Sequence, residues 1–195
     1  VITTSSFITG PMVDDFENTI KEYCGAEDCA SIGSGTNALL CALRAAGIGQ
    51  DDEVITVSHT FVSTTEVICN VGAVPVFVDI DDFYHMDIHG IEHRITDKTK
   101  AILFVDLYGQ TPSIDELKQI ATKHNLVLIE DAAQSFGSSY KEQKVGSIAD
   151  LTCFSFNPVK NLGAMGDAGA VTGRKELIDR VRMYRDHGRE TKYSY

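Results

Sequence analysis

Lys160 stands five residues beyond Ser155, which ends the apolar run Leu151-Thr-Cys-Phe-Ser155. Asp131 and Gln134 lie just past the end of another apolar run, Val127-Leu-Ile-Glu130. A lysine amine adds to an aldehyde only when it is neutral, and a desolvated or cationic pocket lowers its pKa enough for that. A carboxylate at the end of so apolar a strand must have a partner. In open α/β sheets ligands bind in the crevice beyond the carboxyl ends of the strands. A carboxylate, an amide, a hydroxyl and a lysine can therefore converge on one small ligand. From the residues alone, plainer readings stand beside this one: a solvated lysine, an aspartate capping a helix, a surface amide.

Gly35 and Thr36, in Ser34-Gly-Thr-Asn-Ala38, fall between a strand-like and a helix-like segment. Backbone N–H groups at a helix start favour anions, and the hydroxyl adds a donor. Such triplets also cap many helices with no ligand. Phe61, in Ser58-His-Thr-Phe-Val-Ser-Thr64, is from sequence nearly as good a core residue as a ring-stacking one. His59 beside it reads as structural or solvated.

These residues need rigid elements to hold them. Strand-like runs alternate with helix-like segments, the pattern of a parallel α/β sheet. Strands are expected at Cys29–Ile32, Glu53–Val57, Val74–Val78, Ala101–Val105, Leu126–Glu130, Leu151–Ser155 and Ala168–Thr172. Pro75 marks the third as an edge or a strand start. Helices are expected at Asp14–Tyr23, Ser34–Arg44, Thr60–Val71, Ile114–His124 and Lys175–Tyr184, with a short helix and turn from Ile91 to Thr99. The fold class is three-layer α/β/α; the pattern leaves the strand order open.

Two strings carry a resemblance: Glu130-Asp-Ala-Ala-Gln-Ser135, and Phe154-Ser-Phe-Asn-Pro-Val-Lys-Asn-Leu-Gly-Ala-Met-Gly-Asp167. They resemble the sugar aminotransferase family called DegT/DnrJ/EryC1/StrS, fold-type I enzymes that use pyridoxal 5′-phosphate (PLP). The resemblance implies a mostly parallel seven-stranded sheet forming the large PLP-binding domain over residues 1–195. It implies that Lys160 forms a Schiff base with PLP, and that Asp131 rather than Glu130 keeps the pyridine nitrogen protonated. Gln134 bonds the phenolic oxygen, Phe61 stacks on the ring, and Gly35, Thr36 and Ser155 belong to the phosphate cup. The activity implied is amino transfer from glutamate or glutamine to a nucleotide-linked keto-sugar, by a homodimer whose site the partner chain completes. Lysine at position 160 argues against the family branch that carries histidine there and dehydrates. Two departures are visible. The usual G-D-G-G is Gly166-Asp-Ala-Gly169 here, and the frequent V-H-L-Y-G is Val105-Asp-Leu-Tyr-Gly109. Both bear on the substrate or the local loop. Relatives run to about twice this length, so a small C-terminal domain and a short N-terminal segment are expected to be missing. Val1–Ser6 has no signal-peptide shape, and Tyr193–Tyr195 no turn chemistry.

Composition narrows the alternatives. The chain has 195 residues and a net charge of −11, against the basic face a nucleic-acid binder needs. No apolar run approaches the ~20 residues of a membrane span. Five scattered cysteines without a CxxC pair read as reduced thiols and a cytoplasmic location. Asp79, Asp81, Asp82 and Asp87 with His85 and His89 fit no metal-ligand spacing and read as a solvated loop. Arg180, Arg182, Arg185 and Arg189 read as a solvated helix face, or more weakly as a substrate-phosphate contact at a subunit boundary. A nicotinamide-binding domain fails because Gly33-Ser-Gly35 lacks its third glycine at Ala38. A non-catalytic regulator of the same fold is the alternative to the aminotransferase.

Overall fold

A computed structural model describes residues 9–189. The expectations for Val1–Ser6 and Tyr193–Tyr195 lie outside the described residues.

The strands are β1 (Asp28–Ile32), β2 (Glu53–Val57), β3 (Val74–Val78), β4 (Thr99–Val105), β5 (Val127–Asp131), β6 (Ser139–Tyr140), β7 (Gln143–Lys144), β8 (Leu151–Ser155) and β9 (Gly169–Gly173). Seven of them form one sheet in the order β1-β9-β8-β5-β4-β2-β3. β6 and β7 make a small separate hairpin that the apolar pattern did not announce. β9 runs antiparallel to both β1 and β8, and the other pairs are parallel. Hence β1 points the same way as β8, and the carboxyl ends of β1, β2, β4, β5 and β8 open on one side.

The central strands β8 and β9 are buried throughout, while β3 is partly exposed. That gradient explains the sequence pattern. Strands covered on both faces read as continuous apolar runs, and the proline-bearing strand sits at the edge, where its missing N–H breaks no ladder. β3 pairs only with β2.

The helices are α1 (Pro11–Cys24), α2 (Gly35–Ala45), α3 (Val62–Asn70), α4 (Ile88–Ile91), α5 (Ile114–His124) and α6 (Lys175–Arg185). Alternate residues of one strand reach opposite faces, and two apolar clusters follow that rule. Ala30, Cys153 and Val171 pack with α2, whereas Cys29, Phe154 and Ala170 pack with Ile20 and Cys24 of α1. The sheet thus lies between two helical layers. No helix of the described residues is long and apolar enough to cross a membrane.

The late arginines correct the expectation of a solvated face. Arg182 reaches Asp28 at 2.7 Å, and Arg185 reaches Glu17 at 2.5 Å. Arg180 donates to the Ala45 carbonyl, and Arg189 pairs with Asp186. Arg180, Arg182 and Arg185 stitch α6 to α2, β1 and α1. The acidic loop is spent on turns: Asp81 Oδ1 accepts from the Phe83 and His85 N–H groups, and Asp87 caps α4. All five cysteines are free thiols; four are buried, and Cys69 is exposed on α3.

Candidate active site

Gly35, Thr36, Phe61, Asp131, Gln134, Ser155 and Lys160 all line one cavity of about 290 Å³ at the carboxyl ends of the strands. They come from the start of α2, the residue before α3, the end of β5 and its following turn, the end of β8, and the loop between β8 and β9.

The α2 end is shaped for an anion. Ser34 caps the helix by accepting from Asn37 N, and the first turn carries no acidic residue. The N–H groups of Gly35 and Thr36 precede any intrahelical bond, so they remain as donors. A Cβ on Gly35 would stand 2.7 Å from Ser155 Cβ. Glycine is required there because α2 and the end of β8 meet backbone to side chain. That contact sets the Ser155 hydroxyl beside the helix start. Thr36 Oγ1 is bonded to Ser63 Oγ at 2.8 Å, which fixes its rotamer.

Asp131 is buried, and both its oxygens are held. Oδ2 accepts from Thr64 Oγ1 at 2.8 Å, and Oδ1 from Ala133 N at 3.2 Å. Because the Thr64 hydroxyl donates to the carboxylate, its bond to Thr60 Oγ1 at 2.9 Å must be an accepted one. Burial pushes the Asp131 carboxyl above the usual range, while the Thr64 hydroxyl, the Ala133 N–H and the charge of Lys160 pull the other way. A carboxylate so deprived of water gains most from a cationic partner. Glu130, one residue earlier, points into the opposite layer, where Thr152 Oγ1 donates to it at 2.6 Å.

Gln134 Oε1 accepts from the backbone N–H of Tyr108 at 2.9 Å. That contact assigns the amide: the oxygen faces Tyr108, and Nε2 is left as the donor toward the cavity. Phe61 is 67% exposed, which removes the core reading and leaves a ring available at the cavity wall. His59 lies beside it, with its ring 5.5 Å from that of Tyr84 and its Nε2 3.5 Å from Tyr108 Oη.

The lysine loop is closed by Phe156 N to Ala168 O at 2.7 Å and Ala164 N to Phe156 O at 2.8 Å. Asn157 Nδ2 donates to Asp167 Oδ1 at 2.7 Å across its mouth. Sequence reasoning missed Thr64, Ser63 and Asn157. Thr64 and Ser63 share the 58–64 stretch with Phe61, so hydroxyls there were the available signal. The Ala168 departure leaves the crowded position a glycine: at Gly169 a Cβ would meet Ser34 backbone atoms at 2.7 Å.

A seven-stranded α/β/α domain with an anion-binding helix start, a buried carboxylate and a lysine at one strand-end crevice defines the class. The chain belongs to the DegT/DnrJ/EryC1/StrS aminotransferase family, whose model matches residues 1–195. It is 42% identical over 197 residues to a UDP-2-acetamido-2-deoxy-3-oxo-D-glucuronate aminotransferase of Pseudomonas aeruginosa, covering 100% of this chain and 55% of that one. It is 44% identical over 195 residues to a pleiotropic regulatory protein of Geobacillus stearothermophilus, covering 99% and 52%. The crystal structure of NtdA from Bacillus subtilis with bound cofactor PMP superposes with a TM-score of 0.94 at 36% identity, over 100% of this chain and 45% of that one. The chain thus spans about half the length of the relatives it matches.

Proposed function

We propose that the protein carrying this chain is a PLP-dependent aminotransferase. It moves an amino group from glutamate or glutamine to a nucleotide-linked keto-sugar in amino-sugar biosynthesis, for a surface polysaccharide or an antibiotic. Residues 1–195 form its large cofactor-binding domain. It works in the cytoplasm as a homodimer with a shared site. One observation carries the reading: five separate segments bring Lys160, Asp131, Gln134, Phe61, Ser155, Thr36 and Gly35 to one cavity.

The residues fit the cofactor. The close approach of Gly35 to Ser155 brings the Ser155 hydroxyl beside the free N–H groups at the α2 start, a donor set suited to a phosphate. Asp131 offers a buried carboxylate to a protonated ring nitrogen, and Gln134 Nε2 a donor to a phenolic oxygen. When bound, PLP supplies an electron sink for the carbanion at the substrate carbon. Asp131 would keep the ring nitrogen protonated, and Phe61 would stack on the ring face. Lys160 Nζ would hold the cofactor aldehyde. As a free amine it would be the base that takes the proton from the donor α-carbon. The two half-reactions predict ping-pong kinetics.

The regulatory name of one relative makes the non-catalytic reading concrete. What supports the catalytic one is that Lys160 and its cavity partners are all present together, and that an acidic chain is poorly suited to DNA. Borohydride reduction of the protein with PLP, followed by peptide mass analysis, should tag Lys160. An amino donor alone should bleach the yellow absorbance. A tag elsewhere defeats the assignment of Lys160, and colour that survives every donor defeats transamination.

A further inference from the structure

Asp106 and Glu130 are both fully buried, and among the described residues neither makes an ion pair. Asp106 follows β4 and Glu130 lies within the neighbouring β5. Asp106 Oδ2 accepts from Ser135 Oγ at 2.8 Å, and Glu130 Oε2 from Thr152 Oγ1 at 2.6 Å. The two remaining oxygens, Asp106 Oδ1 and Glu130 Oε1, are buried without a hydrogen-bond partner, and Asp106 stands two residues past Phe104, the β4 residue that pairs with Glu130, so the two acids neighbour each other on one side of the sheet. Two carboxylates offer only acceptors, so both oxygens would be orphaned at a large cost. One proton between them satisfies both.

We propose that Asp106 and Glu130 share a single proton, and that this acid pair is the latch that positions Asp131 and Gln134 at the cavity. The first half stands on the burial of the pair and its two unpartnered oxygens; the second rests on the proposed function. Asp106 is the member that carries the proton. Glu130 Oε2 receives the Thr152 hydroxyl at 2.6 Å and the Gly146 N–H nearby also favours its charge, whereas Asp106 receives only the Ser135 hydroxyl. Burial and the neighbouring Glu130 charge push the Asp106 carboxyl well above the usual range. Of the other titratable groups facing the pair, Asp131 opposes a second negative charge, while burial and the neighbouring carboxylates keep Cys24 and Cys153 as neutral thiols.

The latch reaches the site through short links. Asp106 N donates to Asp131 O at 3.1 Å, and two residues on Tyr108 N donates to Gln134 Oε1 at 2.9 Å. Ser135, the partner of Asp106, is the residue after Gln134, and Ser138 Oγ donates to Gly109 O at 3.0 Å. Turns 106–109 and 132–138 are therefore sewn together around the acid pair. Loss of the proton would set two negative charges in a closed space and force the turns apart. Asp106 and Glu130 are positioning residues here, since neither lines the cavity.

The test uses the whole protein that carries this chain. Infrared spectra at neutral pH should show a protonated-carboxyl band that is lost in Asp106→Asn and in Glu130→Gln. PLP affinity, followed by absorbance from about pH 6 to about pH 10, should fall in the parent as the band titrates away. It should fall at least tenfold less in Asp106→Asn, whose amide donates to Glu130 without titrating. A variant weakened only by altered packing would lose affinity equally at every pH. A band that survives both substitutions overturns the shared proton. A band lost as expected, with parallel affinity profiles, overturns the latch and leaves the cofactor reading standing. Should both variants fail to fold, the parent decides alone: a spectrum with no protonated carboxyl at neutral pH defeats the proposal, and a band that titrates together with PLP affinity supports it.

Discussion

Thr64 Oγ1 and Asp131 Oδ2 are 2.8 Å apart and 67 residues apart in the chain. One belongs to α3 and the other ends β5, so the bond ties the orientation of the buried acid to the helix beside the cavity. Thr64→Val keeps the shape and removes the donor. A buried acceptor left without its partner costs about 1–3 kcal/mol. We expect stability to fall by that amount in urea unfolding, and PLP affinity to fall about tenfold because the carboxylate is no longer aimed. Unchanged PLP titration would show that Ala133 N–H alone holds Asp131.

The contact between Gly35 and Ser155 predicts a rescue. Gly35→Ala places a Cβ 2.7 Å from Ser155 Cβ, and overpacking of this kind costs about 1–3 kcal/mol. Ser155→Gly removes the struck atom along with a hydroxyl donor. The double variant should regain most of the stability lost in Gly35→Ala while still binding PLP weakly. Strictly additive losses in both measurements would mean that the two sites relax independently.

The sequence and the structure agree most closely where the signal is local. α5 runs from Ile114 to His124 as its spacing predicts, and β2 from Glu53 to Val57. Apolar runs and turn residues define such elements within a dozen positions. Pairings across the fold leave no such mark. Nothing in Thr64 announces Asp131, and nothing in the late arginines announces Glu17 and Asp28. The order of the strands was also hidden, because parallel neighbours such as β5 and β8 are joined by a long crossover rather than a turn. The cavity residues were legible chiefly through the motif around Lys160. Their composition alone fits caps and surface groups equally well.

Glu17 gives a pH dependence with a definite sign. Burial opposes its charge, but Ser31 N–H, the Arg185 guanidinium and the Ser31 hydroxyl outweigh that and hold its carboxyl below the usual range. A folded pKa below the unfolded one stabilises the fold above the unfolded value, and that gain is lost as pH falls through the folded pKa. Glu17→Gln should therefore lower stability at neutral pH by about 1.5–3 kcal/mol, the range for hydrogen bonds to a charged group. The gap to the parent should close below about pH 4. Urea midpoints at both pH values check this, and a gap that persists in acid would assign the loss to packing.

Gln134→Glu isolates a single donor. The introduced carboxylate can still accept from Tyr108 N–H through one oxygen, as Gln134 Oε1 does at 2.9 Å, so the turn should keep its shape. The other oxygen replaces the Nε2 donor with an acceptor that carries charge. Under the proposed arrangement it would face the phenolic oxygen of PLP, and two acceptors without a proton repel. Losing a bond to a charged group costs about 1.5–3 kcal/mol, or roughly 10- to 150-fold in affinity. PLP should bind more weakly by that factor at neutral pH. Part of the loss should be recovered in mild acid, as the new carboxylate takes up a proton and becomes a donor again. Urea stability without PLP should change little, because the bond to Tyr108 survives. If affinity and apo stability fell together, Gln134 would serve the turn rather than the cofactor.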